Sequence, residues 1–214
     1  MNHIEEYFDK IFCINLDRRP DRWDICLAEF AKYNWTKFER FTAIDDPENG
    51  NRGCTTSHKM LMDLIVENGW KRTLVLEDDF KIIEKAWGHS WKFHEKFNEM
   101  IALVPEDWDM LYLGGHYAAT PISRINKHVV RHGGMFTTSS YAVTHEMAKT
   151  ISNSIVHHNA SGPIDSIYWH FASTHNCYIL QPRLMVQREG FSDLQNMVMN
   201  NEPCMMDRNH ENMV

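Results

Sequence analysis

Short continuous apolar runs alternate, through the first half of the chain, with stretches whose apolar residues recur every three or four positions. That alternation predicts successive βα units. Lys10 to Leu16 carries Ile11, Phe12, Cys13 and Ile14 in one run, as a buried parallel strand does. Arg18-Arg19-Pro20 breaks it, and Trp23, Leu27 and Phe30 at i, i+4 and i+7 predict a helix. Phe38 to Ile44 reads as a second strand ended by Asp45-Asp46-Pro47, and Glu48 to Gly53 as a polar loop. Thr55, Thr56 or Ser57 would cap a helix running to Asn68, with Met60, Leu61, Leu64 and Ile65 on its core face and Gly69 as its stop. Leu74-Val75-Leu76 then predicts a short buried strand.

A helical stretch with Trp87, Trp91, Phe97 and Ile101 precedes Pro105, and a strand from Met110 to Leu113 ends at Gly114-Gly115. The alternation weakens beyond that point. Val129-Val130, Met135 to Val143 and Cys177 to Leu180 read as strands, and Thr144 to Ile151 and Pro163 to Phe171 as short helices. Residues 196–214, rich in Met, Asn and charge, have no clear period and are expected to form an irregular arm. With no repeat and no linker, one mixed α/β domain is the economical organisation.

Composition narrows the classes. The 214 residues are 43% hydrophobic with seven Trp, enough for a real core. A formal charge of −7, from 22 basic and 29 acidic residues, argues against a nucleic-acid-binding surface. No stretch approaches the roughly 18 apolar residues of a membrane-spanning helix, and the first residues lack the basic and apolar regions of a signal peptide. The five cysteines are scattered and odd in number, consistent with reduced thiols. These features predict a cytoplasmic protein. The thirteen histidines show no zinc spacing.

The strongest local feature is Glu77-Asp78-Asp79, directly after the strand at Leu74-Val75-Leu76. Three carboxylates at the C-terminal end of a buried strand concentrate negative charge where open α/β sheets bind ligands. Their repulsion calls for an opposing cation or water, and a hard divalent ion could bridge carboxylate oxygens to a diphosphate. Alternation along extended chain turns Glu77 and Asp79 to the same side and Asp78 to the other. A solvated acidic turn is the bland alternative. A phosphatase of the haloacid dehalogenase type also places aspartates after a strand, but needs Asp-x-Asp followed by Thr or Val, where Phe80-Lys81 stands here.

Two further segments are chemically suggestive. Asn15-Leu16-Asp17-Arg18-Arg19-Pro20-Asp21-Arg22 offers carboxylate and amide groups to a base or ribose and guanidiniums to phosphate. A charged βα loop with Asp21 at a helix N-terminus explains it equally well. Gly53-Cys54-Thr55-Thr56-Ser57-His58 would open a helix whose free N–H groups suit a phosphate or a hydroxyl-rich ligand, although ordinary capping accounts for the same residues.

Taken in order, Ile14 to Arg22, Gly53-Cys54 with Ser57-His58, and Leu74 to Asp79 resemble glycosyltransferase family 25. That family includes bacterial lipopolysaccharide galactosyl- and glucosyltransferases and procollagen galactosyltransferases. The resemblance continues through Trp108 to Gly114, Ser139 to Val143, Pro163-Ile164-Asp165 and Gln181-Pro182 to Ser192-Asp193, nearly the whole chain. It implies a GT-A-type α/β fold, a single domain whose mixed, mostly parallel central sheet is flanked by helices. It also implies a UDP-hexose donor, Mn²⁺ (or Mg²⁺) and inversion at the anomeric carbon. Residues 1–115 would form the nucleotide-sugar half and 116–195 the acceptor half. The chain departs from the usual pattern at Arg52, where the family has an acidic residue, and at Thr56, where it has a small one.

On this reading Asp79 is the first metal ligand and Glu77 assists through metal or ribose. Asn15, Asp17, Arg18, Arg22, Ser57 and Asp78 hold the donor, and Gln187 or a nearby His could complete the metal shell. An acceptor hydroxyl needs a carboxylate base on the opposite side; Asp165 leads and Asp193 follows. Pro163-Ile164-Asp165 also reads simply as Pro and Asp at a helix N-terminus. The expected function is transfer of glucose or galactose to a collagen-like hydroxylysine glycan or a lipopolysaccharide sugar. The partners are therefore a UDP-sugar donor and a glycan or protein acceptor, with no nucleic acid. The alternative is a non-catalytic nucleotide-sugar or glycan-binding module that has kept the fold.

Overall fold

The computed structural model describes residues 4–83, 90–157 and 162–206. Its strands, in chain order, are β1 (Lys10–Asn15), β2 (Glu39–Thr42), β3 (Arg72–Glu77), β4 (Phe80–Ile82), β5 (Met110–Tyr112), β6 (His116–Tyr117), β7 (Ser123–Asn126), β8 (Val129–Arg131), β9 (Met135–Phe136), β10 (Ser140–Thr144), β11 (Cys177–Leu180), β12 (Met185–Gln187), β13 (Gly190–Ser192) and β14 (Met197–Met199). The helices are α1 (Ile4–Tyr7), α2 (Pro20–Lys32), α3 (Gly50–Asn68), α4 (Ser90–Ile101), α5 (His145–His157), α6 (Ile164–Phe171) and α7 (Glu202–Met206). Among the described residues, no helix is long and apolar enough to cross a membrane.

Eight strands form the central sheet in the order β2-β1-β3-β10-β5-β11-β8-β7. Only β10 and β8 run against the others, so the sheet is mixed and mostly parallel. Both faces are covered, which is why the strands read as unbroken apolar runs. Ile11, Cys13, Leu74 and Leu76 pack on one face with Cys26 and Phe30 of α2 and Phe93 and Phe97 of α4. Phe12, Ile14 and Val75 turn to the other face, against Leu61, Met62 and Ile65 of α3 and Met147 and Ile151 of α5. Each large apolar side chain buried this way contributes about 1.5–3 kcal/mol relative to exposure.

Helix α3 departs from its predicted start. It begins at Gly50, capped by Asn49, whose side chain accepts the Arg52 N–H at 3.1 Å. The polar segment expected to be a loop is therefore the first helical turn, and Thr55 to His58 lie inside the helix. Their N–H groups are spent on its ladder, which removes the expected anion site at that point. The buried stripe is also rotated: Leu61, Met62 and Ile65 are buried while Met60 is 44% exposed. Gly69 ends the helix as expected, in the left-handed region at φ 67°. In α2, Leu27 is 39% exposed and Cys26 takes its place in the core.

The predicted strand from Met135 to Val143 is two strands, β9 and β10, separated by Thr137 at φ 68°. Strand β4, not foreseen, pairs with β12 and fixes the chain after the acidic motif. Within the expected irregular arm, β14 pairs with β13 and Glu202–Met206 is helical; residues 207–214 lie outside the described residues. So does Trp87.

Candidate functional site

Strand register assembles the acidic motif. Ile14 is paired with Glu77 across β1 and β3, so both strands end at the same level and Asn15 meets Asp78. The Asn15 amide donates to Asp78 Oδ2 at 2.7 Å, and Arg22, one turn into α2, donates to Asp78 Oδ1 at 2.5 Å. Asp78 is thus buried and held inward as a scaffold. On the other side of β3, Leu76 pairs with Ser140 of β10, and the Glu77 N–H donates to Ser139 at 3.1 Å. That register brings the Thr138 hydroxyl to Glu77 Oε1.

Glu77 also receives a contact from the other sheet face. His58 Nε2 lies 3.2 Å from Glu77 Oε1, His58 Nδ1 lies 2.7 Å from the Tyr141 hydroxyl, and Tyr141 meets the Tyr168 hydroxyl at 2.9 Å. Burial works against ionising Glu77, but His58, Thr138 and Arg22 outweigh it and hold its carboxyl below the ordinary range.

Asp79 is the contrasting case. Its Oδ2 accepts from Gln187 Nε2 at 2.9 Å, with Arg22 at 3.8 Å, while its Oδ1 is buried with no hydrogen-bond partner among the described residues. Burial, followed by the charge of Glu77, pushes the Asp79 carboxyl well above the ordinary range. A buried carboxylate oxygen without a donor costs on the order of 1–3 kcal/mol, more when charged. The donor set suits a hard divalent cation, since Asp79 and Glu77 are anionic oxygens in a site short of positive partners. Cys54 Sγ, His58 and Glu77 also offer ligand atoms within 4.8 Å of one another. Glu77 is common to both groupings, and His58 Nδ1 is already committed to Tyr141.

These residues line a cleft of about 270 Å³ with Asn15, Arg18, Arg22, Ser57, Asp193 and Gln187. Ser57 serves as a brace here: its hydroxyl donates to Gly53 at 2.7 Å and accepts the Ile44 N–H at 2.8 Å. Asp17 is not brought to this wall. It is 69% exposed and pairs with Arg40 at 2.8 Å. Arg18 bonds Asp45 at 2.9 Å and Asp193 at 2.8 Å, and Arg19 takes the other Asp193 oxygen at 2.5 Å. Burial disfavours the Asp193 charge, yet Arg18 and Arg19 prevail and hold its carboxyl below the ordinary range. Asp193 therefore ties the β13–β14 hairpin to the Asn15–Arg22 segment.

A second cleft of about 320 Å³ adjoins the first and shares Cys54 and Glu77 with it. Asp165, in the first turn of α6, lines this one. Burial raises its carboxyl, opposed by the backbone N–H groups of Thr137 and Ser166. Thr138, Tyr141 and Gln187 carried no spacing signal that would join them to Glu77 and Asp79. They lie 61, 64 and 108 residues away in sequence from the acidic residue each serves.

Residues 48–168, more than half of the chain, match the model of glycosyltransferase family 25, described as a lipopolysaccharide biosynthesis protein. The chain belongs to this family. It is 30% identical over 183 residues to a procollagen lysyl hydroxylase and glycosyltransferase of Acanthamoeba polyphaga mimivirus, covering 67% of this chain and 19% of that protein. An inactive glycosyltransferase 25 family member 3 of Homo sapiens is 29% identical over 133 residues, 50% of this chain and 22% of that one. A Homo sapiens procollagen galactosyltransferase 2 is 24% identical over 136 residues, 50% and 21%. The chain thus spans about a fifth of the length of these relatives. Among solved structures, a glycosyltransferase involved in glycosylating the major capsid of PBCV-1 superposes with a TM-score of 0.52 at 8% identity, covering 83% of this chain and 93% of that one. That likeness supports the GT-A-like fold.

Proposed function

We propose that this family member is an inverting, metal-dependent transferase that moves glucose or galactose from a UDP-sugar to an acceptor hydroxyl. The observation that carries the reading is the buried, unpartnered Asp79 Oδ1 beside Glu77, in a cleft that also holds the guanidiniums of Arg18 and Arg22. Asp79 and Glu77 would hold a Mn²⁺ or Mg²⁺ ion, whose Lewis acidity stabilises charge gathering on a departing diphosphate. Arg18 and Arg22 would face the phosphates, with Asn15, Asp78 and Ser57 keeping that wall rigid. Residues 1–115 would supply most of the donor side, closed by Gln187 and Asp193 from the 116–195 half, which carries the base.

Asp165 would accept the acceptor's proton. It lines the second cleft, which meets the donor cleft at Glu77 and Cys54, so an acceptor held there would adjoin the donor. Its raised affinity for a proton suits a base. We assign Asp193, engaged by two arginines, to holding the hairpin instead. The names of the relatives support a collagen-type or lipopolysaccharide-type glycan acceptor.

The human relative named as inactive supports a second reading, a nucleotide-sugar-binding module without turnover. Incubation with a panel of UDP-sugars and Mn²⁺, reading free UDP with and without acceptors, separates the two. Acceptor-dependent release supports transfer; binding without release supports the module. Asp79→Ala should abolish metal-dependent turnover, and full activity in that variant would remove the acidic motif from the mechanism.

A further inference from the structure

We propose that the second cleft is an acceptor subsite for a neutral pyranose ring, so the nucleophile is a sugar hydroxyl rather than the side chain of an unglycosylated peptide. This rests on the transferase reading and names its acceptor class. The two clefts differ in charge chemistry. The first presents Arg18 and Arg22, whereas the described lining of the second has no lysine or arginine. It offers instead the amides of Asn51, Gln195 and Asn201, the carboxylate of Asp165 and the ring of Phe136. A phosphorylated or carboxylated group would find no cationic partner there. A hexopyranose has a C–H face that packs on an aromatic ring and a hydroxyl rim that bonds amides and carboxylates.

The aromatic surface is built for contact. Phe136 is 37% exposed and Trp169 40% exposed, although both are large apolar side chains. They meet edge to face with centroids 6.0 Å apart, and His116 lies 5.1 Å from Phe136 on another side. Trp169 is closely abutted by backbone: Gly134 has φ 153°, and a Cβ there would lie 2.3 Å from the indole. Phe136 is therefore braced by rings that are themselves fixed, yet still presents open surface to the cleft.

One short segment joins this surface to the reacting groups. Next to Phe136, Thr137 holds φ 68°, uncommon for a β-branched residue. Thr137 and Thr138 line the cleft together with Asp165, and Thr138 bonds Glu77. Two residues of chain thereby join the aromatic face to the acidic motif, and Asp165 shares their cleft. A ring stacked on Phe136 would lie in the same cleft as Asp165, the base for one of its hydroxyls. In the transfer that oxygen bonds to the anomeric carbon, the bond from that carbon to UDP breaks, UDP keeps the electron pair, and Asp165 takes the proton.

The test is saturation-transfer and titration NMR with methyl β-galactoside, methyl β-glucoside and a hydroxylysine peptide lacking sugar, each with UDP and Mn²⁺ present. Either glycoside should bind the wild-type chain better than the peptide. Phe136→Ala should weaken glycoside binding about tenfold, the scale of one aromatic contact, while Phe136→Tyr keeps it. Unchanged thermal unfolding of Phe136→Ala would show that the loss is local; if that variant unfolds, selective saturation of the glycoside C–H protons in the wild type decides. Equal binding by a folded Phe136→Ala, no glycoside binding, or tighter binding of the bare peptide would overturn the proposal. Titration with UDP alone reads the first cleft separately. Glycoside binding without UDP binding would therefore reject the transferase reading and leave the sugar subsite standing.

Discussion

His58 Nε2 lies 3.2 Å from Glu77 Oε1, while its other ring nitrogen lies 2.7 Å from the Tyr141 hydroxyl. The imidazole therefore spans the space between a helix and two strands, and holds Glu77 through a buried chain ending at Tyr168. Tyr141→Phe removes the middle of that chain and leaves His58 Nδ1 buried without a partner. It should cost about 1–3 kcal/mol in denaturant unfolding. The concentration of Mn²⁺ needed for half-maximal turnover should rise as well, because Glu77 loses its fixed orientation. An unchanged metal requirement would show that the chain is structural alone.

Asp165 yields a pH prediction. Its burial raises the carboxyl above the ordinary range, and a base must be ionised to accept a proton. The rate should therefore rise with pH through an acid limb lying above ordinary carboxylate values. Asp165→Asn should remove that limb and lower kcat by roughly 10²- to 10⁴-fold, with donor binding retained. Steady-state kinetics across pH, paired with UDP titration, measures both effects.

Among the described residues the β13–β14 hairpin forms a sheet of its own, and Asp193 joins it to Arg18 and Arg19. Asp193→Asn should speed amide hydrogen exchange across residues 190–199 with little change in the central sheet. Because the two arginines hold Asp193 below its ordinary range, the tether is complete above that range and is lost as pH falls through the lowered value. High salt should mimic the substitution, since these groups are partly exposed.

His132 offers a stability prediction apart from the site. Both ring nitrogens are buried without partners among the described residues, and burial lowers its pKa to about 3. Below its ordinary value of about 6.5, the unfolded chain takes up a proton that the folded chain refuses. Stability should therefore fall as pH drops from about 6.5 toward 3. His132→Leu should flatten that loss, as read by thermal unfolding at several acidic pH values.

What the sequence determined by itself was local and periodic. Unbroken apolar runs at Ile11 to Ile14 and Leu74 to Leu76 specify strands buried on both faces, and a polar triplet after such a strand must emerge at the sheet's end. Gly69 had to stop its helix, because only a left-handed residue continues the chain there. Helix rotation was harder to read. Met60 and Met62 are chemically alike, and the sheet surface they approach chose Met62 for the core. The start of α3 was hidden for a similar reason: Asn49 and Gly50 suit a loop and a cap equally, and the folded chain uses the cap.

Strand alternation sets Asp78 apart from Glu77 and Asp79, but the partners of each carboxylate within Glu77-Asp78-Asp79 belong to tertiary structure alone. Nothing in the sequence names the residue that meets each one. The β1–β3 register gives Asp78 to Asn15 and Arg22, the β3–β10 register gives Glu77 to Thr138, and Asp79 is left with Gln187 and one bare oxygen. Hydrogen bonds act over about 3 Å of space whatever the separation along the chain. A residue 108 positions away can thus decide what a carboxylate does.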